Sequence, residues 1–399
     1  MHKKSMGKGL NGPLAGAAFL MATAAIGPGF LNNTAVYTSH LGAAFGFVIL
    51  LSMLIDIGAQ WNIWRIVTDA GTPAQDLANA KLYGSGHLLA GMISFGGWVF
   101  NIGNLAGCGL GLELLTGLPM VYGAALSGAI AFFILNSREA GVQMDRFVKW
   151  LGIMMIGLTS YVAIVSDPPM RQVAIQMVWP DRIDWEAVMV LVGGTVGGYI
   201  SFAGAQRLLD AGMSGKENRH AVSRSAVQGI LLTSIMRFIL FLAAFGVVAG
   251  GVELGKGNPA ASVFQSAAGT FGYYFFGVVL WSAGITSVVG ATYTSVSFWR
   301  SLSQTVRRRE SLIRAGFIFF SLLVFIGLGN PPQLLLLAGA INGLILPLAL
   351  GILLMSVAVP KPGESVRAFT LYALGWLVVV LMAGMSGKTL QSFIDRLSI

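Results

Sequence analysis

Gly27, Pro28 and Gly29 stand in the middle of an apolar run, "AAIGPGFLNNTAVY", where a helix would otherwise continue. Proline lacks the backbone donor and glycine weakens a helix, so the run breaks here and frees peptide groups. Free N–H groups at a helix start favour an anion, and free carbonyls favour a cation. A second such place is "GGTVGGYISFAGA", where Gly193, Gly194, Gly197 and Gly198 precede Tyr199. The pairs Gly193/Gly197 and Gly194/Gly198 also have the small-xxx-small spacing of close helix packing. Neutral oxygens are available nearby in type, from Asn33, Thr34, Asn101, Asn104, Ser201 and Asn342. Asn101 and Asn104 are one turn apart and share a helix face with Gly97 and Cys108. That face either lines a pocket or joins two helices by hydrogen bonds. Asp56 and Arg237 are charges inside apolar runs, where charge is costly and is usually paired or functional. The two residues either pair with each other or serve a gate. Metal-ligating types are sparse: His2, His40, His87 and His220 all fall near the ends of apolar segments. A single cysteine, Cys108, excludes an intrachain disulfide.

The elements that must carry these residues are set by composition. Of 399 residues, 55% are hydrophobic and 10% charged, which is the balance of a polytopic membrane protein. A span needs about 20 mostly apolar residues. Eleven segments qualify, at roughly 12–38, 41–64, 88–112, 119–136, 147–166, 186–209, 225–250, 270–298, 312–328, 333–356 and 368–386. They fill nearly the whole chain, so residues 1–399 read as one all-α membrane domain. The basic start and the apolar run after it could pass for a signal peptide, but the apolar character continues past Ala25, and a first span is the better reading.

The net charge of +9 could suggest nucleic acid, but its placement points to a bilayer. With the N-terminus cytoplasmic, 19 of the 25 lysines and arginines lie inside. Arg171, Arg182, Lys256, Lys388 and Arg396 lie outside, and Arg237 lies within a span. This is the positive-inside bias. Eleven spans then put the C-terminus outside, and the setting is the plasma (inner) membrane. Trp61, Trp64, Trp179 and Trp185 read as interfacial belt residues.

Paired interruptions in corresponding spans of two halves are the sequence mark of a secondary transporter's binding site. The breaks here fall in spans one and six. Spans one to five (10–166) and six to ten (186–356) then form two five-helix repeats of opposite orientation, because five is odd. The eleventh helix, 366–387, is extra. A channel would need a continuous pore with selectivity rings, and no repeated filter motif is present. An enzyme would need paired carboxylates, a Cys–His pair or H-E-x-x-H, and none is found. No cofactor is expected.

Four stretches in order carry a resemblance over almost the whole chain: "GPLAGAAFLMATAAIGPGF", "NIGNLAGCGLGLELLTGLP", "LWSAGITSVVGATYTSVSFW" and "LLLLAGAINGLILPLAL". They resemble spans one, three, eight and ten of the NRAMP family of divalent-metal transporters. The resemblance implies the five-plus-five inverted-repeat (LeuT-like) fold of sodium-coupled amino-acid carriers. The family's functional residues do not carry over. Its first-span D-P-G-N is here "GPGF", so the metal-binding Asp is replaced by Gly27 and the Asn by Phe30. Its sixth-span M-P-H is matched by Gly197, Gly198 and Tyr199. The third-span Asp and Glu of its proton route fall on Asn101 and Asn104, which cannot titrate. Its tenth-span Gln falls on Gly339. In span eight, Ala283, Thr286 and Ser287 resemble the sodium-site pattern of the amino-acid branch. Against this, membrane Thr and Ser often bond their own backbone.

A transition metal prefers carboxylate, thioether or imidazole donors. The inferred site offers none. It consists of Gly27, Pro28, Gly29, Phe30, Asn33, Asn101, Asn104, Gly197, Gly198, Tyr199, Gly339 and Asn342. The small replacements should enlarge a cavity once sized for an ion. The expectation is an alternating-access transporter that takes up a small solute, such as an organic carboxylate, with Na⁺ or H⁺ as coupling ion. The alternative is a transporter of a hard divalent cation, Mg²⁺ or Mn²⁺, held by backbone and Asn oxygens.

Overall fold

A computed structural model describes residues 26–359 and 366–397, all helix, turn and loop. The first half of the expected first span, residues 12–25, lies outside the described residues. α1 (Pro28–Leu41) opens on an extended Gly27 with Pro28 at its first position, where a missing N–H and a fixed φ are no handicap. It ends at Gly42, whose φ of +57° turns the chain through a short 3₁₀ turn into α2 (Phe45–Ala70). α3 (Ala74–Lys81) is a short amphipathic helix, and α4 (Ser85–Thr116) and α5 (Met120–Asn136) follow. α6 (Arg138–Val165) and α7 (Met170–Val178) meet at a sharp bend; the turn from Gly152–Val165 into α7 is 108°.

The expected sixth span is interrupted. α8 (Trp185–Thr195), capped by Asp184 accepting from the Ala187 N–H, stops at residues 196–199, and α9 (Ile200–Asp210) resumes. Then come α10 (Arg219–Ala249), α11 (Pro259–Ser297), a short α12 (Gln304–Arg308), α13 (Glu310–Leu328), α14 (Pro331–Met355) and α15 (Val366–Leu397). α11 bends at Gly269 (φ +60°), next to the hydropathic boundary at residue 270.

Among the described residues, eight helical stretches are long and apolar enough to cross a membrane, or nine if the bent α6–α7 pair is one span. The sequence suggested eleven. Pro28–Ala70 counts as one stretch across the turn at Gly42–Ala44, Met120–Asn136 is a shorter apolar helix of 17 residues, and α6–α7 is bent. Burial sorts the stretches: Trp185–Asp210 is 89% buried in its apolar window, whereas Glu310–Leu328 is 17% and Ala368–Thr389 is 28%. The interrupted helix is therefore central, and α13 and α15 face lipid. Exposed Leu54, Phe95, Phe133, Phe319, Phe320 and Val380 belong to the apolar surface that hydrocarbon covers.

Trp64 departs from the belt expectation. It is fully buried, and its indole N–H donates to the Ser201 carbonyl at 3.0 Å, tying α2 to the first turn of α9. Trp179 and Trp185 are exposed. Charges gather at the helix ends. Asp69 pairs with Arg219 at 2.8 Å and Arg65 at 3.5 Å, and Glu310 pairs with Arg300 and Arg314.

Candidate functional site

The start of α1 gathers polar groups from two other helices. A Cβ on Gly27 would lie 2.8 Å from the Ser287 hydroxyl of α11 and 3.7 Å from Asn104 Oδ1 of α4. Ser287 Oγ and Asn104 Nδ2 have no hydrogen-bond partner, although both residues are buried. The first-turn N–H groups of α1, at Gly29 and Phe30, have no acceptor within their own helix, and Pro28 has no N–H. An unpaired buried donor carries a substantial desolvation penalty, so the Ser287 hydroxyl and the free first-turn N–H groups suit a ligand that accepts hydrogen bonds, while Asn104 presents its acceptor Oδ1 to the same place.

Further along, Asn32 Nδ2 donates to the Pro332 carbonyl at 3.2 Å, and Asn33 Nδ2 reaches the Leu335 carbonyl at 3.5 Å. These long bonds join α1 to α14. A cleft of about 450 Å³ opens where the end of α1, the start of α8 and the start of α14 meet. Tyr37, Glu186, Val190, Gln333, Leu337 and Ala340 line it. One helical turn deeper lie Asn33 on α1 and Gly194 on α8. Gly194 is buried, yet a Cβ there would meet nothing within 4 Å. Among the described residues, then, nothing fills the space beside Gly194 next to the break.

The other glycines do not border a void. A Cβ on Gly193 would lie 1.9 Å from the Gly339 carbonyl and 2.4 Å from the Gly343 nitrogen. A Cβ on Gly339 would lie 2.7 Å from the Val190 carbonyl. These residues let α8 and α14 touch backbone to backbone. At the break, the Gly197 N–H donates to the Val192 carbonyl at 3.0 Å and the Gly198 N–H to the Asn342 carbonyl at 3.2 Å. A Cβ on Gly197 would strike the Gly193 backbone, and one on Gly198 would strike Asn342 Oδ1. Here small size serves close approach. Asn342 Nδ2 also donates to the Gly96 and Ala338 carbonyls, both at 3.0 Å, so one side chain joins α14 to α4 beside the break. Tyr199 is buried with its ring edge-on to Phe100 at 5.2 Å.

Asn101 and Asn104 separate in role. Asn101 Nδ2 donates to Ser321 Oγ of α13 at 3.1 Å, a helix-to-helix tie, while Asn104 faces Gly27. Ala283, Thr286 and Ser287 also diverge. The Thr286 hydroxyl lies within bonding distance of the Ser282 and Ala283 carbonyls of its own helix, whereas Ser287 faces Gly27. Asp56 and Arg237 come close to each other without a direct ion pair. Arg237 Nη1 donates to Thr195 Oγ1 at 2.8 Å, and its guanidinium carbon lies 4.4 Å over the Phe30 ring. Among the described residues no three His, Cys, Asp or Glu side chains converge to hold a metal. The empty face of Gly194 and the link through Thr195 were not singled out from sequence. The double-glycine spacing marks the place, but which neighbour faces which glycine is a tertiary fact.

The family described as natural resistance-associated macrophage protein-like matches residues 18–392. The uncharacterized membrane protein YcsG of Bacillus subtilis is 49% identical, with 99% of each chain covered. An uncharacterized membrane protein of Haemophilus influenzae is 50% identical over 95% of this chain and 96% of its own. The divalent metal cation transporter MntH of Agrobacterium fabrum is 24% identical over 95% and 87%. In three dimensions, a mutant of the Eremococcus coleocola manganese transporter superposes with a TM-score of 0.73 at 15% identity, covering 98% of this chain and 88% of its own. MhsT in complex with L-phenylalanine gives 0.66 at 17% identity, covering 93% and 97%.

Proposed function

We infer the cargo from one premise: this chain belongs to the natural resistance-associated macrophage protein-like family. It is a multi-span membrane transporter and not an enzyme. We propose that it takes up a small organic carboxylate by alternating access, with the carboxylate at the start of α1 and the remainder of the cargo beneath the cleft by Gly194. The proposed frame is eleven spans: inverted repeats over 10–166 and 186–356, with 366–387 outside them. The N-terminus lies in the cytoplasm and the C-terminus outside, in the plasma membrane. The cleft then opens to the outside.

The observation that carries this reading is the buried, unpartnered Ser287 hydroxyl at Gly27, beside first-turn N–H groups that carry the positive end of the helix dipole. Such a set matches an anion and supplies no acidic or soft ligand for a transition metal. Sodium at Ala283, Thr286 and Ser287 is less well supported, because the Thr286 hydroxyl is taken up by its own helix.

A second reading is transport of a hard divalent cation such as Mg²⁺ or Mn²⁺. Two buried acceptors without partners, Asn101 Oδ1 and Asn342 Oδ1, favour it, as do the names of the more distant relatives. A thermal-shift screen of the purified protein with L-lactate, succinate, L-alanine, MgCl₂ and MnCl₂ separates the two, because a bound ligand stabilises the fold by mass action. Stabilisation by an organic probe and not by the metals is expected. Stabilisation by a metal alone overturns the carboxylate reading.

A further inference from the structure

Two buried charges play no part in the site as built so far. Asp56 on α2 and Arg237 on α10 are 1% and 3% exposed. Neither oxygen of Asp56 accepts a hydrogen bond, and Arg237 Nε has no partner. Arg237 touches the first turn of α1 and the end of α8. It donates to Thr195, the last residue of α8 before the break, and it stacks on Phe30 in the first turn of α1. The Thr195 hydroxyl passes on to the Leu191 carbonyl at 2.7 Å.

Among the described residues two polar groups face Asp56 from the neighbouring helices. From α10 it faces the charge of Arg237, and from α8 the hydroxyl of Thr195. Arg65, Asp69 and Arg219 pair among themselves more than two turns further along α2. A charge this deep must be compensated. In the cargo-free protein Arg237 is the charge that faces Asp56, with Thr195, to which Arg237 donates, beside them. A carboxylate arriving at the start of α1 adds a negative charge beside Phe30, on whose ring the same guanidinium, its Nε unused, is stacked.

We propose, on the basis of the carboxylate reading above, that Asp56 is the coupling-proton site. Cargo carboxylate at the first turn of α1 takes over Arg237 as its counter-charge, and Asp56 binds one proton from water. One anion and one proton enter together, and the buried cluster has the same net charge before and after. Arg237 acts here as a positioning residue that links the cargo to the proton.

The sign of the pH dependence follows. Cargo that draws Arg237 away raises the proton affinity of Asp56, so at a pH between the affinities of the two states binding takes up a proton. Between the proton affinities of the two states, each unit rise in pH weakens cargo binding about tenfold. Asp56→Asn fixes the neutral form, so its cargo affinity stays level with pH.

The test uses the full chain in detergent micelles with L-lactate, succinate and L-alanine as probes. Calorimetry in two buffers of different ionisation enthalpy reads the protons taken up per bound carboxylate. About one is expected for the wild type and none for Asp56→Asn. Infrared difference spectra should show a protonated carboxylic acid band on probe binding, absent in Asp56→Asn. Because that variant leaves Arg237 uncompensated and can fail to fold, the neutral double variant Asp56→Asn/Arg237→Gln is the partner control. It is expected to fold, to bind the probe more weakly and to take up no proton. A probe that binds the wild type equally at every pH, with no proton uptake, overturns this inference and leaves the carboxylate reading standing. Proton uptake that persists in the double variant also overturns it. Failure of all three probes to bind overturns both.

Discussion

Adjacent glycines on α8 should respond in opposite ways to the same substitution. Gly193→Ala places a methyl 1.9 Å from the Gly339 carbonyl, and ordinary contact begins near 3.4 Å, so α8 and α14 must part by about 1.5 Å. The obstacle is backbone, which cannot rotate away. Overpacking of this kind costs about 1–3 kcal/mol, and the size of the shift puts Gly193 near the upper end. Gly194→Ala meets nothing within 4 Å. Each change also gains about 1 kcal/mol of helix propensity, which cancels in the comparison. We expect Gly193→Ala to be destabilised by about 2 kcal/mol net and Gly194→Ala to be as stable as the parent or slightly more so. Thermal unfolding of both variants in the same detergent, followed by tryptophan fluorescence, measures the difference. If Gly193→Ala is no less stable than Gly194→Ala, the backbone contact between α8 and α14 is wrong. The pair also bears on function. Gly194→Leu fills the space beneath the cleft, and we expect it to fold and lose uptake; normal uptake would remove that space from the cargo path.

Gly27→Asp puts a carboxylate where the resemblance to the family would place its metal ligand. Gly27 has an ordinary negative φ and its nearest obstacle is a rotatable hydroxyl, so the variant should fold and gain Mn²⁺ affinity by calorimetry. A well-folded variant with no gain would remove Gly27 from the ligand position. Ser287→Ala should weaken carboxylate binding severalfold in the thermal-shift screen, and Thr286→Ala should not, because the Thr286 hydroxyl serves its own helix. Equal effects would argue against an anion site at Gly27. Spin labels on Tyr37 and Leu336, across the cleft, should show a cargo-dependent distance, while a pair spanning α8 and α14 should stay fixed; the reverse pattern would assign the motion to the wrong helix.

The interruption at residues 196–199 was legible because four glycines in six residues at 193–198 sit inside an otherwise apolar run. The start of α1 at Pro28 was legible from proline's fixed φ. What the glycines do was not. Composition shows that Gly339 and Gly197 are small, and a cavity was the natural reading, but only the neighbour decides whether small size makes room or permits contact. Trp64 fails for the same reason. The belt rule reads its distance from the span end and cannot see the Ser201 carbonyl, 137 residues away in sequence, that holds its indole. Asp56 and Arg237 were legible as charges that need explanation. Their shared neighbours Thr195 and Phe30 were not, because no local pattern encodes contacts of that separation.

The contacts of α14 indicate which helix moves. Toward α8 it offers Gly339 and Gly343 in backbone contact, a surface that loses its fit if the helices part by a fraction of an ångström. Toward α4 it offers a buried hydrogen bond, from Asn342 Nδ2 to the Gly96 carbonyl at 3.0 Å. Toward α1 it offers two side-chain bonds of 3.2 and 3.5 Å, the longer at the limit of a hydrogen bond, with the cleft already open above them. We therefore expect access to the space beside Gly194 through a swing of α1 away from α14, with α8 and α14 kept together. Gly42 supplies the means: it ends α1 with a positive φ and separates it from α2 by a single 3₁₀ turn, so α1 can tilt without bending α2. Such a tilt moves Phe30 relative to Arg237, while Asp56 stays with α2. The counter-charge of the buried carboxylate then changes with the opening of the cleft, which is the condition for coupling a proton to the cargo.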